Sequence, residues 1–177
     1  MKNNGNFKNY GGLRSRNIFK DEKNSTLVSI LTVVKNGEKH LEETILSVLN
    51  QTYKNIEYII IDGASTDSSL EIIKKYDDKL DYWISEKDQS LYDGFNKAIK
   101  LARGNLIGII NSDDIYLKEG IKTIVKYYEN KKEIDFIFGS VQKHWGILHG
   151  YKPWKIFWNW EFYSSHSSGF FITKKAS

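Results

Sequence analysis

The sequence predicts an α/β domain built on a doubly wound, mostly parallel sheet flanked by helices. Three observations carry that prediction. Short runs rich in β-branched residues, Leu27 to Val34, Ile56 to Ile61 and Leu106 to Ile110, barely alternate with polar residues. That is the pattern of strands buried on both faces of a parallel sheet. Stripes of apolar residues at helical spacing separate the runs, and strand–helix alternation of this kind builds doubly wound sheets. Polar clusters follow the runs at their carboxyl ends, the edge where open α/β sheets hold ligands.

In chain order, residues 1–24 come first, with Lys2, Lys8, Arg14, Arg16, Lys20 and Lys23 against Asp21 and Glu22. This stretch holds the whole formal net charge of +4, which leaves 20 basic and 20 acidic groups in the rest of the chain. It is rich in Asn, Gly and Lys, so residues 1–25 are expected to form a disordered basic leader before a domain spanning 26–177. The sequence pI near 9.0 then describes the leader and gives no nucleic-acid-binding face.

Leu27 to Val34 is the first strand and ends at Asn36-Gly37, a turn signal. Leu41, Ile45, Val48 and Leu49 share one face of a helix. Ile56 to Ile61 is the second strand, followed by Asp62-Gly63-Ala64-Ser65-Thr66-Asp67, and Leu70, Ile73 and Tyr76 mark the next helix. A short apolar piece, Leu80 to Ile84, leads into the polar loop Ser85 to Ser90. Leu91, Phe95, Ala98, Ile99 and Ala102 form a further helical stripe closed by Gly104. Leu106 to Ile110 runs into Asn111-Ser112-Asp113-Asp114. A helix on Ile121, Ile124, Val125 and Tyr128 and a strand over Ile134 to Val141 complete the alternation. Between Trp145 and Tyr163 lie four of the five tryptophans, expected as a helix or lid-like segment.

The 177 residues suit one domain with a real core. The absence of cysteine excludes disulfides and thiolate metal sites. No apolar stretch approaches the roughly 20 residues that span a bilayer, and no signal-peptide core opens the chain. A cytoplasmic location is expected, with peripheral membrane contact through the leader or the aromatic segment as the variant.

The adjacent carboxylates Asp113 and Asp114 have two readings. One is a polar turn capping the next helix. The other is a hard-oxygen site for Mg²⁺ or Mn²⁺, since close carboxylates repel unless a cation sits between them. Asp62, ending a buried Ile-Ile-Ile strand, is placed to accept from a base or ribose, while Asp67 reads as a cap or first-turn acid. His40, His144 and His149 share no metal-ligand spacing. No Gly-x-Gly-x-x-Gly follows the first strand, which argues against a dinucleotide-binding oxidoreductase.

Four segments together resemble the family 2 glycosyltransferases of the A-type, nucleotide-diphospho-sugar-binding fold, from about residue 27 to 174. They are Val28 to Gly37, Thr44 to Tyr53, Ile60 to Asp67, and Asn111 to Asp114. The resemblance implies a Rossmann-like nucleotide-binding half at 26–115 and an incomplete acceptor-side half at 116–177. Thr32, Val33, Asn36, Asp62, Asn111 and Asp113 would bind the nucleotide, usually a uridine diphosphate. Asp113 and Asp114 would hold a divalent metal, Mn²⁺ or Mg²⁺, on the diphosphate. Asn111 stands where many relatives carry an Asp, which removes one anionic ligand. Glu86 to Asp93 resembles a sugar-facing loop, and Asp88, Asp93, Asn96 and His166 are the donor-sugar or acceptor candidates. Asp88 reads equally as a solvated loop acid, Asp93 and Asn96 as polar helix positions, and His166 as a structural His. Relatives usually carry Gly where Ser90 stands.

The reaction implied is an inverting, metal-assisted transfer from a UDP-sugar to a glycan or lipid-linked hydroxyl, in polysaccharide or glycoconjugate biosynthesis. It needs a carboxylate base. In relatives that base follows a strand resembling Ser165 to Ile172, which would put it beyond Ser177. The last acid here, Glu161, reads first as a solvated helix position. The alternative expectation is a truncated, catalytically silent nucleotide-sugar-binding module.

Overall fold

Val28–Val34 (β2) and Ile56–Asp62 (β3) are each seven residues long with every side chain buried. Such strands need cover on both faces, and helices supply it. The computed structural model describes residues 9–20, 25–131, 133–139, 141–143, 146–148 and 169–176, with backbone alone at 141–143 and 146–148. β3 is flanked by β2 and by Tyr82–Ser85 (β4), and Leu106–Ile109 (β5) lies on the other side of β2; all three pairings are parallel. Tyr10–Gly11 (β1) pairs antiparallel with β4. Beyond β5, Phe170–Thr173 (β9) runs antiparallel, followed by Phe136–Phe138 (β6). The sheet order is β1-β4-β3-β2-β5-β9-β6. The expected strand over Ile134 to Val141 splits, because Val141–Lys143 (β7) leaves this sheet and pairs with Gly146–Leu148 (β8).

Alternation within the two central strands sorts the core into halves. Val28, Ile30, Val34, Tyr58 and Ile60 share a face with Leu41, Ile45 and Val48 of Leu41–Leu49 (α1), Ile73 of Ser69–Lys75 (α2), and Ile121 and Val125 of Gly120–Asn130 (α4). Leu31, Val33, Ile59 and Ile61 pack on the other face against Ala98 and neighbours from Leu91–Leu101 (α3). Each of these aliphatic side chains contributes about 1.5–3 kcal/mol on full burial. One close packing point is Gly108 of β5, where any side chain would collide with the Phe171 ring.

The expected disordered leader fails over residues 9–20. β1 enters beside the carboxyl end of β4, where Ser85 N–H donates to Asn9 O (2.7 Å). The chain then runs to the amino end, where a 3-10 turn at Leu13–Arg16 hydrogen-bonds Leu80 O and Asp81 O. Three of its cations meet carboxylates of the domain: Arg14 with Glu57, Arg16 with Asp77 and Lys20 with Asp81. Glu57 and Asp81 are almost wholly buried. Composition pointed to disorder because it counts charges without their partners, and here the partners lie about 40 to 60 residues away in sequence.

Candidate functional site

The loops after β2 and β3 are tied into one unit at the carboxyl edge. Val34 stands opposite Asp62 in register, so the two loops leave the sheet side by side. Asn36 turns the first loop at φ 55° and Ala64 the second at φ 55°, both in the left-handed region that Asn tolerates better than most residues. Asn36 N–H donates to Ser65 Oγ (2.8 Å) and its Oδ1 accepts from Thr66 N–H (2.8 Å). Gly37 N–H donates to Ser69 Oγ (2.8 Å). Asp67 accepts from Ser69 N–H at the start of α2 and from Glu38 N–H across the gap (both 3.0 Å). Burial pushes the Asp67 carboxyl up, but the Ser69 and Glu38 hydrogen bonds outweigh it and hold the group below its ordinary value.

Asp62 is fully buried. Its carboxylate accepts from Ser65 N–H and Oγ–H and from Ser85 Oγ–H (2.6 Å). It therefore joins the loop after β3 to the end of β4. Thr32 corrects an expectation: its side chain points into the core, with Oγ1 3.0 Å from Tyr58 Oη, and is wholly inaccessible. The strand period of two explains this, because Thr32 shares the face of Ile30 and Val34 while Val33 faces α3.

Asn111-Ser112-Asp113-Asp114 forms a turn directly after β5. Asn111 Nδ2–H donates to Asp114 Oδ2 (2.8 Å), and Asp114 O accepts from Thr44 Oγ–H of α1 (2.8 Å). Asp113 is exposed. The helix-cap reading of this pair fails, since α4 begins at Gly120 after a bridging stretch pinned to α1 through Ser47 and Gln51. Among the described residues no group of three His, Cys, Asp or Glu side chains stands ready for a metal. Two carboxylates still fit Mg²⁺ or Mn²⁺, which commonly take one or two from the protein and complete their shell with phosphate oxygens and water.

The Glu86-to-Asp93 loop folds over the α3 face of the same edge. Ser90 is the N-cap of α3, with extended backbone (φ −160°) and a hydroxyl accepting from Asp93 N–H (3.2 Å). That geometry suits any residue and uses the hydroxyl, so Ser in place of the relatives' Gly leaves the loop intact. Asp93 accepts from Gln89 N–H, which holds its carboxyl below the ordinary range. Lys97 Nζ reaches Asp88 Oδ1 (2.6 Å), Glu86 Oε1 (2.7 Å) and Asp93 Oδ2 (3.3 Å). Its hydrogen bonds to Asp88 and Glu86 raise the amine pKa. The Asp88 side chain is 8% exposed, so the solvated-loop reading of this residue fails. Asn96 lies exposed on α3.

The edge thus brings together Val33, Asn36, Asp62, Asp88 and Asp93, with Asn111, Asp113 and Asp114 on the turn after the neighbouring strand. His166, Glu161 and the aromatic segment lie outside the described residues. Lys97, Ser65 and Ser85 were missed by sequence reasoning. Only Lys97 left a signal, its i,i+4 spacing from Asp93. Among the described residues no helix is long and apolar enough to cross a membrane.

A family model described as Glycosyl transferase family 2 matches residues 29–174. An uncharacterized glycosyltransferase of Methanocaldococcus jannaschii is 35% identical over 142 residues, covering 76% of this chain and 49% of the relative. The UDP-Glc:alpha-D-GlcNAc-diphosphoundecaprenol beta-1,3-glucosyltransferase WfaP of Escherichia coli is 36% identical over 107 residues, covering 60% of this chain and 43% of WfaP. Among solved structures, S. aureus TarS in complex with UDP-GlcNAc superposes with a TM-score of 0.56 at 25% identity, covering 63% of this chain and 33% of TarS. The chain spans about half the length of the curated relatives it matches.

Proposed function

The chain belongs to glycosyltransferase family 2, with the GT-A fold, and from that premise we propose that it binds a UDP-sugar across the carboxyl edge of its sheet. The sugar then passes, with inversion, to a hydroxyl of a glycan or lipid-linked acceptor. The observation that carries the reading is the convergence of three polar loops, after β2, β3 and β5, on one edge. Support for the donor comes from TarS, whose structure contains UDP-GlcNAc. Support for donor and acceptor class comes from WfaP, whose name specifies UDP-Glc and a diphosphoundecaprenol-linked acceptor.

In this reading the Asn36 and Ala64 turns and the Val33 backbone shape the nucleotide pocket. Asp62, buried beneath that pocket, holds the β3 loop to Ser85 and so positions the loop that meets the nucleotide. Asp113 and Asp114 hold a divalent cation, which when bound offsets charge on the departing diphosphate. Asn111 orients Asp114 through the Nδ2–Oδ2 hydrogen bond. The acceptor's proton requires a carboxylate or imidazole base.

Titration calorimetry with UDP, GDP and ADP, each with and without Mn²⁺, tests this. UDP is expected to bind, and Mn²⁺ to tighten it. An Asp113→Ala/Asp114→Ala double variant should lose at least about tenfold in Mn²⁺-supported affinity, the order of one charge-assisted contact. Unchanged affinity in that variant would remove the metal assignment.

A further inference from the structure

We infer that Lys97 is a positioning residue that presents the Asp88 carboxylate to a sugar hydroxyl of the donor; this rests on the UDP-sugar reading. Asp88 Oδ1 is held by Lys97 at 2.6 Å, but Oδ2 is buried with no hydrogen-bond partner among the described residues. A buried, unpaired carboxylate oxygen is costly unless a ligand completes it. Glycines pack against it. A methyl group at Gly94 would stand 3.0 Å from Oδ2 and 2.6 Å from Val33 Cγ1, and one at Gly63 would stand 3.5 Å from Oδ2. Asp88 thus lies over the ends of β2 and β3, with glycines at the two positions whose Cβ would press on Oδ2 or on Val33.

The chemistry of the ligand follows from charge. An ionised carboxylate only accepts hydrogen bonds, and a diphosphate carries no donor and repels it. A hydroxyl-bearing sugar offers donors without charge. Lys97 itself is not available to a ligand. An ammonium has three N–H donors, and Asp88, Glu86 and Asp93 take one each. Its role is to gather three acids at the start of α3, offset the repulsion among them, and fix which Asp88 oxygen is left unpaired.

The test measures UDP, UDP-glucose and UDP-N-acetylglucosamine affinity on the same protein, with unfolding curves to establish that each variant is folded. In the unsubstituted chain the preferred UDP-sugar binds more tightly than UDP. In Lys97→Met and Asp88→Asn that advantage falls by about tenfold, while UDP affinity stays within about threefold. The double variant loses no more than either single one, because both act through one carboxylate. Lys97→Arg, which keeps the charge and several donors, recovers most of the advantage. A sugar advantage unchanged in Lys97→Met, equal losses of UDP and UDP-sugar, or no advantage in the unsubstituted chain each overturns the role of Lys97 alone. No nucleotide binding by the unsubstituted chain overturns the donor reading and this inference with it.

Discussion

The two ends of the parallel strands treat their acids in opposite ways. At the amino end, Glu57, Asp77 and Asp81 each meet a cation from the N-terminal segment, and Glu57 also accepts from Ser29 Oγ–H and Arg103 N–H. At the carboxyl end, Asp62 is held by the Ser65 backbone N–H and two serine hydroxyls, Asp113 is exposed, and Lys97 serves three acids at once. Even the protonation shifts differ. Burial raises the Asp81 carboxyl despite Lys20, whereas hydrogen bonds lower Asp67. One end pairs its acids with cations of the N-terminal segment; the other leaves Asp88 Oδ2 unpaired and Asp113 exposed.

The largest expected effect breaks the closed end. Arg14→Met leaves Glu57 buried without its cation and should destabilise the fold by about 3–5 kcal/mol in urea unfolding. Adding Glu57→Gln should restore part of that loss. A single-variant loss below about 1 kcal/mol would mean that the N-terminal segment does not close that end.

A smaller effect separates core from site within one strand. Thr32→Val removes the hydroxyl beside Tyr58 and should cost about 1–3 kcal/mol by stranding a buried phenol. UDP affinity should stay unchanged. A several-fold loss of affinity would return the Thr32 side chain to the pocket.

The smallest effect is a pH dependence at the open end. The Asp67 carboxyl is lowered in the folded state, so it contributes stability above its unfolded pKa, lost as pH falls through the folded value. Asp67→Asn should therefore unfold at lower urea than the unsubstituted chain near neutrality, with the gap narrowing as pH falls below the ordinary carboxylate range. A gap that persists in acid would mean that the hydrogen bonds do not depend on the charge.

Much of this was legible in the chain. The unalternating runs at Val28–Val34 and Ile56–Asp62 announced a buried parallel centre, and Asn36-Gly37, Asp62-Gly63 and Asp113-Asp114 marked its carboxyl edge. The antiparallel edges were not legible, because β1 and β9 are short and their partners lie far away in sequence. Side-chain direction at Thr32 needed the strand's phase as well as its pattern, and one residue of register separates core from pocket.

The sequence by itself determined the fold class, the family and the edge on which the polar loops meet, because strand periodicity, turn chemistry and motif order are local properties of the chain. Only the tertiary structure decided that residues 9–20 neutralise buried acids, that Thr32 belongs to the core, and that Lys97 gathers Glu86, Asp88 and Asp93. Those facts depend on which charges and hydroxyls become neighbours once water is excluded, and Coulomb and hydrogen-bond energies depend on distance in space rather than along the chain.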